Sequence, residues 1–157
     1  MTVKEHYDNH LSNIYSWFAG DFDSNKNLFK SLCLENGITP VGNDFPIDLG
    51  AGHGIQSIAL AELGYKVLAV DFNEQLLAEL EARKENHPIQ ILRDDIRNIQ
   101  SFSSEVPSLI VCCGDTLPHL ESFEEISQLI QKSFDMLLPN GRIILSFRDY
   151  SIPLVGD

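Results

Sequence analysis

The stretch Asp48-Leu49-Gly50-Ala51-Gly52-His53-Gly54 constrains the fold more than any other part of this 157-residue chain. It follows Phe45-Pro46-Ile47-Asp48-Leu49, a short apolar run that reads as a β-strand. It precedes a segment with Ile55, Ile58, Ala59 and Leu63 on one helical face. A strand that becomes a helix within a few residues needs glycines, because the turn is tight and the backbone must let a ligand approach. The helix that starts there offers unpaired N–H groups and a partial positive charge at its first turn. A tight strand–helix turn without any ligand is the plain alternative.

The alternation continues along the chain. Lys66–Asp71 reads as a second strand and is followed by a helix with Phe72, Leu76, Leu77 and Leu80 on one stripe. Ile89–Leu92 is a third strand. Ser108–Cys113 is a fourth, and its continuous apolar run indicates burial on both faces. Ser122 and Glu125 form a capping box for a helix carrying Phe123, Ile126, Ile130, Phe134 and Leu137, stopped by Pro139-Asn140-Gly141. Arg142–Phe147 is a fifth strand, and only residues 94–107 carry a weak helical pattern. Such alternation means a parallel sheet with right-handed crossovers, a doubly wound α/β fold of Rossmann-like type. Residues 1–40 differ in kind. They read as two helices, around Glu5–Phe18 and Asn25–Asn36, the second ending at Gly37 and carrying Leu28, Phe29, Leu32 and Cys33 on one stripe. The expected organisation is one compact unit: a helical cap over residues 1–40 and a sheet domain over residues 41–157.

Charge narrows the partners. Lys plus Arg is 11 and Asp plus Glu is 23, a net charge of −12. Nucleic-acid binding needs a concentrated basic face, and anionic membranes repel such a chain, so neither is an expected partner. No apolar run has the length of a membrane span and the start has no signal-peptide core. Cys33, Cys112 and Cys113 form no CxxC or Cys/His pattern, so a disulfide framework and a metal site are not expected, and a cytoplasmic location is. The adjacent pair should point to opposite faces of its strand.

Asp71 stands at the end of the second strand, 19 residues after Gly52. An acid there can accept hydrogen bonds from both ribose hydroxyls; otherwise it is a helix N-cap, a role Asn73 could fill instead. A nicotinamide dinucleotide and S-adenosylmethionine both suit a glycine loop followed by such an acid. The spacing separates them: the pattern is GxGxG with an acid two residues ahead, and Ile55 stands where a dinucleotide fingerprint would want its third glycine.

This arrangement resembles motif I of the class I S-adenosylmethionine-dependent methyltransferases. Asp71-Phe72 looks like motif II, which implies the acid for ribose and an apolar ring for the adenine face. Arg93-Asp94-Asp95-Ile96 looks like the next motif, where Asp95 would accept from the adenine amino group and the Ile96 backbone N–H would meet the ring; Asp94 is the alternative. Pro139-Asn140-Gly141-Arg142 resembles the turn before the family's fifth strand. By the resemblance, Asp48, Gly50, Gly52, Gly54 and Cys113 complete the cofactor-binding set, the cofactor is S-adenosylmethionine, and the strand order is 3-2-1-4-5.

Cys113-Gly114-Asp115-Thr116-Leu117-Pro118-His119-Leu120 is similar to the corresponding stretch of the glycine and sarcosine N-methyltransferases and other small-molecule methylases. Tyr15-Ser16-Trp17-Phe18-Ala19-Gly20-Asp21 resembles the lid of that group, which implies Tyr15 and Phe18 near the reacting methyl. A small-molecule methyl acceptor is therefore implied. His119 and Asp115 are the candidate bases, with a capping or plain loop position as the other reading of His119. Tyr7, Tyr15 and Trp17 either cover the sulfonium with ring faces or pack the cap helix. His53 reads as a tolerated loop residue. Arg148, Asp149 and Tyr150 line the acceptor pocket or begin a loop.

The family usually has seven strands, and ten residues follow Phe147. Strands six and seven are expected to be missing, as in a C-terminally truncated chain. The fifth strand would then be an open edge, and a homodimer through that edge is the expected way to cover it. Besides a small-molecule methyltransferase, the sequence leaves two readings: a donor- or product-binding module without turnover, and an NAD-dependent oxidoreductase.

Overall fold

The computed structural model describes residues 20–42, 44–149 and 151. The expected first helix and Tyr7, Tyr15, Trp17, Phe18 and Tyr150 lie outside them. The chain runs α1 (Phe22–Glu35), β1 (Pro46–Leu49), α2 (Ile55–Glu62), β2 (Val67–Asp71), α3 (Glu74–Arg83), β3 (Ile89–Arg93), a 3-10 turn (Ile96–Ser101), β4 (Leu109–Cys112), a second 3-10 turn (Leu117–His119), α4 (Phe123–Met136) and β5 (Arg142–Leu145). Among the described residues the sheet has five strands, all parallel, in the order β3-β2-β1-β4-β5.

Period-two alternation divides the core between the two sheet faces. Val67, Ala69, Leu109 and Val111 pack with Phe29 and Cys33 of α1, Ile58 and Ala59 of α2, and Leu77 and Leu80 of α3. Ile47, Leu49, Leu68, Val70, Ile110 and Cys112 pack on the other face with Ile96, Ile99 and Leu129. Cys112 and Cys113 fall in different clusters, so the adjacent thiols do point to opposite faces. Both are pushed up by burial, Cys113 to about 12, which leaves them inert.

Helix ends follow local chemistry. α1 starts at Phe22 rather than Asn25 because Asp21 caps it, its carboxylate accepting the Ser24 N–H at 2.7 Å. Asn73 caps α3 by accepting the Leu76 N–H at 2.9 Å. Ser122 accepts the Glu125 N–H at 3.2 Å, but Glu125 reaches back to the Glu121 N–H at 2.9 Å rather than to Ser122. The weak pattern after β3 is the first 3-10 turn, capped by Asp95.

Two expected stripes are only partly buried. On α4, Leu129 and Ser133 are buried, whereas Phe123 is 91% and Phe134 68% exposed. On α1, Phe29 and Cys33 are buried while Leu28 and Leu32 are exposed. Each helix packs mainly by one side, so apolar residues on its flank stay largely exposed.

Candidate functional site

The strand order reverses between β1 and β4, and in an open parallel sheet that switch makes a crevice beyond the strand C-termini. The loops that rise there are 50–54 after β1, 72–73 after β2, 94–95 after β3 and 113–120 after β4.

Gly50, Gly52 and Gly54 have φ of 72°, 52° and 100°, the left-handed region that costs other residues about 1–2 kcal/mol each. Crowding adds to this: a Cβ on Gly50 would run into the Thr116 side chain, and one on Gly54 into Leu80. The N–H groups of Gly50 and Ala51 both donate to the Val70 carbonyl, at 2.8 and 3.0 Å, which ties the loop to β2. Beside it, the Asp71 carboxylate accepts the Gly52 N–H at 2.9 Å and the Asn73 N–H at 2.8 Å. Asp71 is only 8% exposed; burial raises its carboxyl, against the pull of the Asn73, Gly52 and Phe72 backbone bonds.

Asp48 lies deeper. It is 1% exposed and accepts the Ser57 hydroxyl at 2.6 Å, and the Ser57 backbone N–H also bonds it. An internal carboxylate thereby meets the first turn of α2, whose own N-cap, Gly54, has no side chain to offer. Burial pushes Asp48 up to about 7; the Ser57 bond opposes that, and the nearby Asp71 charge adds to it.

The loop after β4 is docked onto the glycine loop. Thr116 donates its hydroxyl to the Cys113 carbonyl at 3.1 Å while its side chain fills the space over Gly50. His119, half-buried, ends the 3-10 turn, with its N–H on the Thr116 carbonyl. Asp115 faces Arg148 across the ends of β4 and β5 at 3.8 Å. Gly114 donates its N–H to the Ser146 hydroxyl at 3.2 Å, a second link between the same loops.

These elements fit a ligand that carries a nucleoside. The α2 N-terminus opens at the same strand ends, and the Asp71 carboxylate, with the Gly52 and Asn73 N–H groups on it, has lone pairs left for hydroxyl donors. Among the described residues no group of three His, Cys, Asp or Glu side chains could hold a metal ion.

The model of a methyltransferase domain matches residues 47–141, which include the glycine loop, Asp71, Asp95 and His119. The chain belongs to this methyltransferase family. It is 25% identical over 143 residues to the glycine/sarcosine N-methyltransferase of Aphanothece halophytica, covering 90% of this chain and 52% of that one. Among solved structures, the CcbJ methyltransferase of Streptomyces caelestis superposes with a TM-score of 0.70 at 19% identity, covering 88% of this chain and 56% of that one. The magnesium protoporphyrin IX methyltransferase of Synechocystis gives 0.67 at 19% identity, covering 86% and 70%. The chain spans about half the length, or less, of the curated relatives it matches.

Within this methyltransferase domain, Gly50, Gly52, Gly54, Asp71 and the Cys113–His119 loop come together, with Phe72 half-buried beside Asp71. The Asp95 carboxylate caps the 3-10 turn through the Arg97 N–H and grips the Arg97 guanidinium, which also holds Glu125 at 2.7 Å. Asp94 accepts the Asp95 N–H at 2.7 Å and the Asn98 amide at 2.9 Å, so neither acid has its side chain on the glycine loop. Ile96 is buried under the same turn. Ser57 and Thr116 were not among the expected site residues. Spacing could have suggested Ser57, nine residues after Asp48 in the first turn of α2; Thr116 acts through shape across the sheet, which no local pattern records.

Proposed function

We propose that the protein is an S-adenosylmethionine-dependent methyltransferase that acts on a small molecule by in-line methyl transfer. One observation carries this most: the glycine loop and the Asp71 carboxylate meet at the C-termini of adjacent strands through the 2.9 Å Gly52 bond. Asp71 would take the ribose hydroxyls, Phe72 an adenine face, and the glycine loop with Cys113 the amino-acid end. Asp48 would support the loop from beneath through Ser57. Asp95 and Ile96 would bound the adenine, and Asp95 would have to share its carboxylate with Arg97.

S-adenosylmethionine supplies an already activated methyl as a sulfonium. What remains for the protein is to hold the acceptor in line and exclude water, and such positioning supplies about 7–11 kcal/mol. His119 is the base offered to an acceptor that arrives protonated. Asp115 is the weaker candidate, because Arg148 faces its carboxylate. Tyr15 is retained for the lid.

The acceptor class is supported by relatives named for small molecules, such as the glycine/sarcosine enzyme. The acidic surface agrees with it and argues against nucleic acid or an anionic membrane. Among the described residues no helix is long and apolar enough to cross a membrane. The three cysteines are buried and form no disulfide, which supports a cytoplasmic setting.

Because the chain spans half of its relatives, donor binding without turnover stands as a second reading. Calorimetric titration with adenosylhomocysteine and with NAD, followed by a methyl-transfer screen over a metabolite panel, tests both. Binding of adenosylhomocysteine with turnover supports the enzyme, binding without turnover supports the module, and binding of NAD alone rejects both. His119→Asn should lower turnover while leaving adenosylhomocysteine affinity within about two-fold, if the imidazole is the base.

A further inference from the structure

His53 is 3% exposed although it lies in a loop, and burying an imidazole there costs free energy that an apolar filler would not. Its neighbour gives a reason for its place. The Phe22 ring, at the first residue of α1, stands edge-on to the His53 ring with centroids 5.3 Å apart and planes at 75°. The Arg83 guanidinium of α3 lies 4.6 Å from the centre of the same Phe22 ring. Three elements therefore converge on one half-buried aromatic: the glycine loop, the cap helix and the last turn of α3. α1 runs alongside α2 in the same direction, with Phe22 at His53 and Lys30 at Glu62, so the start of α1 lies at the ligand end of the sheet.

We propose that Phe22 and His53 are positioning residues of the donor site, their ring contact docking the first turn of α1 onto the glycine loop and holding that loop in its binding conformation. Neither residue needs to touch the donor. Phe22 fixes His53, and His53 is flanked by Gly52 and Gly54, both at positive φ, so holding its ring holds the middle of the loop. Arg83 adds a cation–π contact that keeps the Phe22 ring in place. The inference rests on the donor-site reading above.

The test is calorimetric titration of adenosylhomocysteine into the wild-type chain and into Phe22→Leu, Phe22→Tyr and Arg83→Ala, with thermal unfolding of each. Phe22→Leu keeps apolar bulk and loses the ring, so its affinity should fall about three- to ten-fold. Its melting temperature should stay close to wild type. Phe22→Tyr keeps the ring and should bind like wild type, a rescue that bulk packing alone would not require. Arg83→Ala should weaken binding about two- to five-fold, since its side chain is partly exposed. Phe22→Leu that binds like wild type overturns the proposal. Should Phe22→Leu unfold, Arg83→Ala decides: weakened binding supports the positioning role and unchanged binding removes it. A wild-type chain that does not bind adenosylhomocysteine overturns the donor reading itself, and the inference with it.

Discussion

Gly52 donates its backbone N–H to the Asp71 carboxylate at 2.9 Å, which joins the turn after β1 to the end of β2. The Asn73 N–H shares the same carboxylate at 2.8 Å. Asp71→Ala leaves both buried donors without their acceptor, at about 1–3 kcal/mol each. Stability should fall, and adenosylhomocysteine affinity should drop at least about ten-fold. Titration calorimetry measures the second effect, and unchanged affinity would refute the ribose role.

Asp48 sets a pH dependence. Its carboxyl is raised from 3.8 to about 7 by burial, so the folded chain holds a proton that the unfolded chain releases. The stabilising contribution is complete below about 4 and is lost as pH rises through about 7. Glu62 and Glu125 are lowered by their Lys and Arg partners and work in the opposite sense, over the more acidic range. His53, lowered by burial, also works in the opposite sense and does so over an overlapping range, so from pH 5 to 7 the urea midpoint of Asp48→Asn, which still accepts from Ser57, should fall less or rise more than that of the wild type. An equal slope in both proteins would remove Asp48 as the cause.

Gly54→Ala combines a φ of 100° with a collision against Leu80. The backbone part costs about 1–2 kcal/mol and the overpacking about 1–3 kcal/mol. Chemical denaturation should show that loss, whereas Gly37→Ala, with open space around its Cβ, should lose only the backbone part.

Among the described residues β5 lies at one edge of the sheet, with Leu145 37% exposed, and Phe123 and Phe134 of α4 are also exposed. We propose self-association through this edge, read as a concentration-dependent sedimentation coefficient that Leu145→Lys in β5 reduces. A monomer at every concentration would dismiss it.

The strands were legible because β1, β2 and β4 are buried on both faces: β4 is a continuous apolar run, and only Asp48 in β1 and Asp71 at the end of β2 interrupt the others. Boundaries differ by one or two residues, at Pro46, Val67, Arg93, Leu109, Cys112 and Leu145. The glycine loop was legible for a different reason: its backbone angles admit little but glycine. What escaped was whatever depends on distant neighbours. Phe123 and Phe134 read as a core stripe, since periodicity reports a face and not what covers it. The pairing of Asp95 with Arg97, and of Arg97 with Glu125, was likewise not legible, since nothing in Arg93-Asp94-Asp95-Ile96 shows that α4 brings Glu125 to that turn.

Glu62 takes Lys26 on one carboxylate oxygen at 2.8 Å and Lys30 on the other at 2.9 Å. Two kinds of force thus hold α1, ionic at Lys26 and Lys30 and non-ionic at Phe22, Phe29 and Cys33. Dissolved salt screens the first kind and barely touches the second. As ionic strength rises, the lysine contacts weaken while the ring contact at His53 and the buried packing of Phe29 and Cys33 keep their hold.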